Sequence, residues 1–263
     1  MALSEIFLNA GEEPIRLAVA DQAWYRRIRA VFLGDALGRR THGTFRVTAD
    51  RINRAGEAIP SHWVHLDGEG DYVAALAPDG RRAWVGVHPR VPLRGLWGAL
   101  RRLQVRRLVA RGGAVLHAAC VVREGWAYLF FGRSGAGKTT VCRFSRDAQA
   151  VADDLIAVRT RRDRMVVWGL PARRRPPYIM AIGPFPIRAA FILKKARVMR
   201  LVRLAPARAA AAMLGVPRDL LRPEPAATAL AVVSDLARTA PCYDLYFKKN
   251  ALFWRNILNE LDE

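Results

Sequence analysis

Gly132-Arg133-Ser134-Gly135-Ala136-Gly137-Lys138-Thr139, with Thr140 next in line, fits GxxxxGK[ST] at every fixed position. The residue types follow from what holding a polyphosphate requires. Glycines let the main chain wrap so that several N–H groups point inward at phosphate oxygens. A helix starting at Lys138 directs its positive end at the same phosphates. The Lys138 ammonium is a point charge for the β- and γ-phosphates, and the Thr139 hydroxyl is a hard oxygen ligand for Mg2+. The context agrees, since the apolar run 127–131 reads as a strand and 140–145 can form a helix. ATP and Mg2+ are the ligands this segment predicts, with 132–140 as the cradle.

Outward from the loop, 114–122, 126–131, 151–158 and 165–168 read as strands, as do 188–193, 198–204 and 243–247. Helical patterns cover 206–215, 226–239 and 252–261. Before residue 112 the spacing predicts a helix over 14–34, short strands in 44–52 and 62–89, and an Arg-rich amphipathic helix over 93–111 that stops at Gly112-Gly113. Asp79-Gly80 marks a hairpin turn between 72–76 and 83–87. Mixed strands and helices around a strand–loop–helix unit predict an α/β fold of α+β character. The expected division is an N-terminal helix-plus-hairpin region, 1–112, and a P-loop domain, 113–263.

Asp153 and Asp154 interrupt an apolar strand fifteen and sixteen residues after Lys138. Adjacent carboxylates are costly to bury without partners, and neighbours on a strand face opposite ways. One suits Mg2+; the other suits orienting or deprotonating a hydroxyl. A solvated strand end is the plainer reading of the same pair. His117, within Val115-Leu116-His117-Ala118-Ala119, reads by default as a hydrogen-bonded core residue; beside Asp154 it would orient the carboxylate.

The His-Ala-Ala strand, the phosphate loop 15 residues later and the Val-Ala-Asp-Asp strand together resemble HPr kinase/phosphorylase. They also resemble the related kinases that share a nucleotide fold with ATP-dependent phosphoenolpyruvate carboxykinase. The similarity covers about 113–170. It implies a mixed-sheet P-loop kinase core, with Lys138 gripping ATP and Thr139 and Asp153 at the metal. It also implies Asp154 as base toward a substrate hydroxyl, supported by His117. That family carries a metal-binding Glu where this chain has Val166-Val167-Trp168-Gly169-Leu170-Pro171. The departure bears on a second metal ligand, on phosphorolysis and on HPr as substrate. The chain looks more like shorter HPr-kinase-like proteins, some of which phosphorylate a hydroxyl on a modified peptide. Arg173-Arg174-Arg175 falls where the family places phosphate contacts, and reads equally as a basic loop in solvent.

The 263 residues, 52% hydrophobic and 25% charged, are those of a folded chain of one or two domains. The apolar runs are too short or too Pro-rich to span a bilayer. Met1-Ala2-Leu3-Ser4-Glu5 lacks a signal-peptide pattern, so the expectation is a cytoplasmic protein. Cys120, Cys142 and Cys242 form no CxxC pair, which argues against zinc and disulfides. The net charge of +20 is carried mostly by arginine, since only five of 43 basic residues are lysines. Part of that skew is what GC-rich coding would produce. Over 155–222, however, sixteen Lys or Arg meet two acids, a stretch suited to an anionic partner. Nucleic-acid binding is suggested by charge alone, without a zinc finger, basic zipper or RNA-recognition motif. The expected partner is a hydroxyl-bearing peptide, protein or small molecule; the alternative is a nucleotide-dependent regulatory protein without transfer. Homo-oligomerisation is left open.

Overall fold

A computed structural model describes residues 3–8, 15–31, 45–51, 62–67, 70–145, 147–170, 183–214, 226–247 and 253–262. Two compact units emerge, one running to Arg107 and the other starting at Leu108. The Arg173-Arg174-Arg175 run lies outside the described residues.

The first unit holds β1 (Ser4–Leu8), β2 (Ile15–Val19), α1 (Gln22–Val31), β3 (Phe45–Arg51), β4 (Val64–Asp67), β5 (Tyr72–Leu76), β6 (Arg82–Val87) and most of α2 (Pro92–Val109). Its strands form one mixed sheet in the order β1-β2-β3-β6-β5-β4. The N-terminal region is therefore a six-stranded sheet with helices, not a helix plus a hairpin. The helix expected over 14–34 starts only at Gln22. Ile15, Leu17 and Val19 are buried in alternation with Arg16 and Ala18, the period of a strand. Asp21 then accepts a hydrogen bond from the Trp24 amide at 2.8 Å and caps the helix. Trp24 and Ile28 drop into a core shared with Leu96, Leu100 and Leu103 of α2. The Asp79-Gly80 hairpin joins β5 to β6, with Asp79 accepting from the Arg81 amide at 2.8 Å.

The second unit runs β7 (Ala114–Arg123), β8 (Trp126–Phe131), α3 (Lys138–Phe144), β9 (Gln149–Ala152), β10 (Leu155–Arg161), β11 (Arg164–Gly169), β12 (Phe185–Lys195), β13 (Arg200–Arg203), α4 (Pro206–Leu214), α5 (Ala226–Thr239), β14 (Cys242–Phe247) and α6 (Phe253–Asp262). Eight strands make a second mixed sheet, β11-β10-β7-β8-β12-β14-β13, with β9 also on β7. β12 runs parallel to both β8 and β14. The whole is mixed α/β. Alternate residues of β7 feed two cores. Leu116, Ala118 and Cys120 meet Ala209 and Met213 of α4 and Val233 and Leu236 of α5. Ala119 and Val121 meet Val141 of α3 and Phe253 and Ile257 of α6. His117 shares the parity of Ala119, so β7 directs it to the α3 face.

The strand expected over 151–158 is two strands in line on β7. Cys120 faces Ala152, and His117 faces Leu155. Carried across the gap, that register would set Asp153 and Asp154 opposite Ala119 and Ala118. The ladder opens there instead, because two neighbouring carboxylates fit poorly between two apolar cores.

Cys120, Cys142 and Cys242 are free and buried; burial pushes the Cys142 thiol up to about 12 and that of Cys242 to about 11. Among the described residues, no helix is long and apolar enough to cross a membrane.

Phe130 is fully buried, its ring 5.2 Å from that of Phe191 and edge-on to Phe253 and Trp254. Phe130→Ala is expected to cost about 3–5 kcal/mol, read as a lower denaturation midpoint with unchanged slope. A loss under about 1 kcal/mol would contradict this packing.

Candidate active site

The site grows from the end of β8. Because β12 is parallel to β8, with Ile192 beside Phe131, both strands deliver their C-terminal ends to one edge of the sheet. In α/β sheets that edge is where ligands settle. From Phe131 the chain turns through 132–137. Gly135 (φ +75°) and Gly137 (φ +119°) hold left-handed conformations that a side chain would strain. Ala136 N–H donates to the Arg133 carbonyl at 3.0 Å, and Val141 N–H to the Gly137 carbonyl at 2.9 Å, which starts α3. At Gly132 there is no room for a Cβ, which would stand 2.7 Å from that of Ala136.

Lys138, the first residue of α3, is buried. Its Nζ donates to the Gly132 carbonyl at 2.7 Å and to that of Arg133 at 3.4 Å. Burial pulls its pKa below the ordinary lysine value, and the carboxylates of Asp154 and Asp153 act in the opposite direction. Thr139 Oγ1 donates to Asp153 Oδ2 at 3.3 Å. His117 Nε2 lies 2.9 Å from Asp154 Oδ1, with the His117 side chain mostly buried and that of Asp154 56% exposed. The two carboxylates thus diverge, one toward the start of α3 and one toward β7.

These groups share a cavity of about 760 Å3. His117, Lys138, Asp153 and Asp154 line it together with 134–137, Thr139 and Thr140. Gly132 and Arg133 are not on its wall; they contribute the carbonyls that hold Lys138. Lys195, Ala196 and Phe247 complete the lining and escaped the sequence reading. The only trace of them is a Lys-Lys pair ending one strand-like run and an aromatic ending another. That β12 and β14 are parallel neighbours, with Lys195 beside Phe247, is a matter of long-range pairing.

A hydroxyl and a carboxylate side by side, Thr139 and Asp153, form a hard-oxygen donor pair suited to Mg2+, which keeps waters and phosphate oxygens for its other positions. No three His, Cys, Asp or Glu side chains among the described residues gather as a metal cage.

No protein-family model matches the chain, and no curated protein matches it. Among solved structures, the chain is similar to the Hpr(Ser) kinase/phosphatase from Coxiella burnetii. The match spans 56% of this chain and 92% of that one, at 10% identity and a TM-score of 0.33. What the site does is therefore argued from its own residues.

Gly132→Ala is expected to push the loop off Ala136 and to cost about 1–3 kcal/mol as an overpacking change, measured by urea denaturation. An unchanged midpoint would mean that the loop is not held as described.

Proposed function

We propose that the chain is an Mg2+-dependent ATP kinase that transfers the γ-phosphate to a serine or threonine hydroxyl of a peptide or protein. The observation that carries this reading is a cavity on which a phosphate-loop lysine, a hydroxyl–carboxylate pair and a separate histidine–carboxylate pair all open.

Main-chain amides of 134–139 other than that of Ala136, which the Arg133 carbonyl takes up, would hold the phosphates, and Lys138 would exchange its bonds to Gly132 and Arg133 for phosphate oxygens. Thr139 and Asp153 would hold Mg2+, which when bound neutralises charge on the β- and γ-phosphates. Asp154, open to solvent on one side, would accept the proton of the acceptor hydroxyl. His117 would fix the orientation of that carboxylate through its Nε2. In the transfer, a bond forms between the acceptor oxygen and Pγ, the bond from Pγ to the β–γ bridging oxygen breaks, and ADP leaves with that electron pair. Phosphoryl transfer is mainly positioning and charge stabilisation, so a few groups suffice. Maturation of a modified peptide is the setting the resemblance suggests.

Radiolabelled ATP with a panel of hydroxyl peptides tests the proposal. Lys138→Ala should lose nucleotide binding. Asp154→Asn should retain Mg·ATP affinity within about twofold, yet lose transfer by about 10²-fold or more, the range expected for removing a general base. Wild-type transfer by Asp154→Asn would refute the base assignment. Binding of Mg·ATP with no transfer to any acceptor, together with altered partner affinity, would favour a regulatory protein.

The lowered lysine value sets the sign of a pH effect. As pH rises, Lys138 gives up its proton sooner than an exposed lysine would, and the phosphates lose a cation. Mg·ATP affinity should therefore fall on the alkaline side before ordinary lysines titrate. Calorimetry across that range checks it, and an affinity flat until the ordinary lysine range would remove Lys138 from the contact.

A further inference from the structure

The stretch from β12 through β13 to α4, in which β14 pairs between the two strands, carries the most lopsided charge in the second unit. Residues 185–214 contain seven Lys or Arg and no acid. Two of the seven are accounted for, since Lys194 and Arg208 each lie 3.7 Å from the buried carboxylate of Asp244. Lys195, Arg197, Arg200 and Arg203 are exposed and meet no carboxylate among the described residues. Arg200 instead lies over the Tyr246 ring at 4.4 Å.

These cations are contiguous with the cavity. Lys195 and Ala196 line it, and Arg197 follows in the turn. β13 then starts with Arg200 opposite Tyr246, the neighbour of the cavity-lining Phe247. β13 is also the last strand of the sheet and pairs on one side only among the described residues. Its outer edge, on which no described strand pairs, offers main-chain donors and acceptors, flanked by Val198 (75% exposed) and Val202 (37% exposed). Two copies of this edge would repel each other, because each carries arginines.

We propose that edge strand β13 and the 196–199 turn leading into it dock an acidic stretch of an extended peptide, the acceptor whose hydroxyl enters the adjoining cavity. The acceptor role rests on the kinase reading above; the docking does not. A peptide fits better than a nucleic acid because a strand edge offers a ladder only another peptide backbone can complete. Acidic residues fit because they supply the missing counter-charges of Arg197, Arg200 and Arg203. The same cations would offset the repulsion between an acidic acceptor and a bound triphosphate.

Fluorescence anisotropy on the full chain, without nucleotide, tests the docking. The probes are a labelled peptide in which glutamates flank one serine, the same peptide with lysines in their place, and an oligothymidylate. The glutamate peptide is expected to bind about tenfold more tightly than the lysine peptide, with an affinity that weakens as salt rises. Arg197→Gln/Arg200→Gln/Arg203→Gln should lose most of that preference while keeping its melting temperature and its Mg·ATP affinity. If the triple variant unfolds, Arg197→Gln alone, in the turn, should still reduce the preference about twofold or more. Equal binding of the two peptides, tighter binding of the oligothymidylate than of the glutamate peptide, or a preference untouched by these changes overturns the docking surface. A chain that selects the glutamate peptide but never binds Mg·ATP overturns the kinase reading and leaves the docking surface standing.

Discussion

Two carboxylates that the sheet does not pair organise this site. Ala152 at the end of β9 and Leu155 at the start of β10 hold one register on β7, and the ladder between them opens at Asp153 and Asp154. Had the strand run through, alternation would have aimed one carboxylate into each apolar core, at a cost of several kcal/mol per unpaired charge. With the ladder open, Asp153 turns to the Thr139 hydroxyl and Asp154 to the His117 imidazole. The gap is thus both a relief of desolvation and the device that splits two adjacent carboxylates between separate partners. β7 is the shared reference: it fixes His117 on the α3 face and holds the strands on either side of the gap.

The loop is fixed by a second economy of polar groups. A buried lysine without acceptors would destabilise the fold, and Lys138 avoids that by donating to two carbonyls of its own loop. Closing the loop this tightly needs a glycine at 132, where a Cβ would meet Ala136, and left-handed backbone at 135 and 137. The base of α3 is anchored from afar as well. Trp254 Nε1 of α6 donates to Ser145 Oγ at 2.9 Å, and Ser145 in turn donates to the Val141 carbonyl at 2.7 Å. Helix α6 therefore ties down the far end of the short helix whose near end faces the cavity.

Legibility followed the range of the interactions. The strand–loop–helix unit could be read because its glycines, lysine and threonine are local requirements. The helix limits at 206 and 226 and the hairpin at Asp79-Gly80 were legible for the same reason. The helix expected over 14–34 misled because Leu17, Trp24 and Ile28 fall at helical spacing, while Ile15, Leu17 and Val19 alternate as a strand does. Parallel partners on one side, β3 and then β6, decide for the strand, and they come from residues 45 and 82 onward. β1 had no local signature that separated it from coil. Lys195 and Phe247 were invisible as cavity residues because only the pairing of β12 with β14 brings them together, across about fifty residues of chain.

The positive charge divides along the same line. Composition alone does not separate arginine that follows coding bias from arginine that waits for a partner. Pairing does. Arg16 meets Glu5, Arg94 meets Asp71, and Arg107 lies over the Phe45 ring at 3.9 Å, so these cations of the first unit are satisfied within it. Lys194 and Arg208 are likewise committed to Asp244. Other exposed cations also lack a carboxylate among the described residues, Arg26, Arg27 and Arg29 on α1 and Arg161, Arg162 and Arg164 about the β10–β11 turn. Those of β13 and the turn before it differ in following one edge strand to the cavity that holds Lys138, so it is their location, rather than the total of +20, that sets them apart.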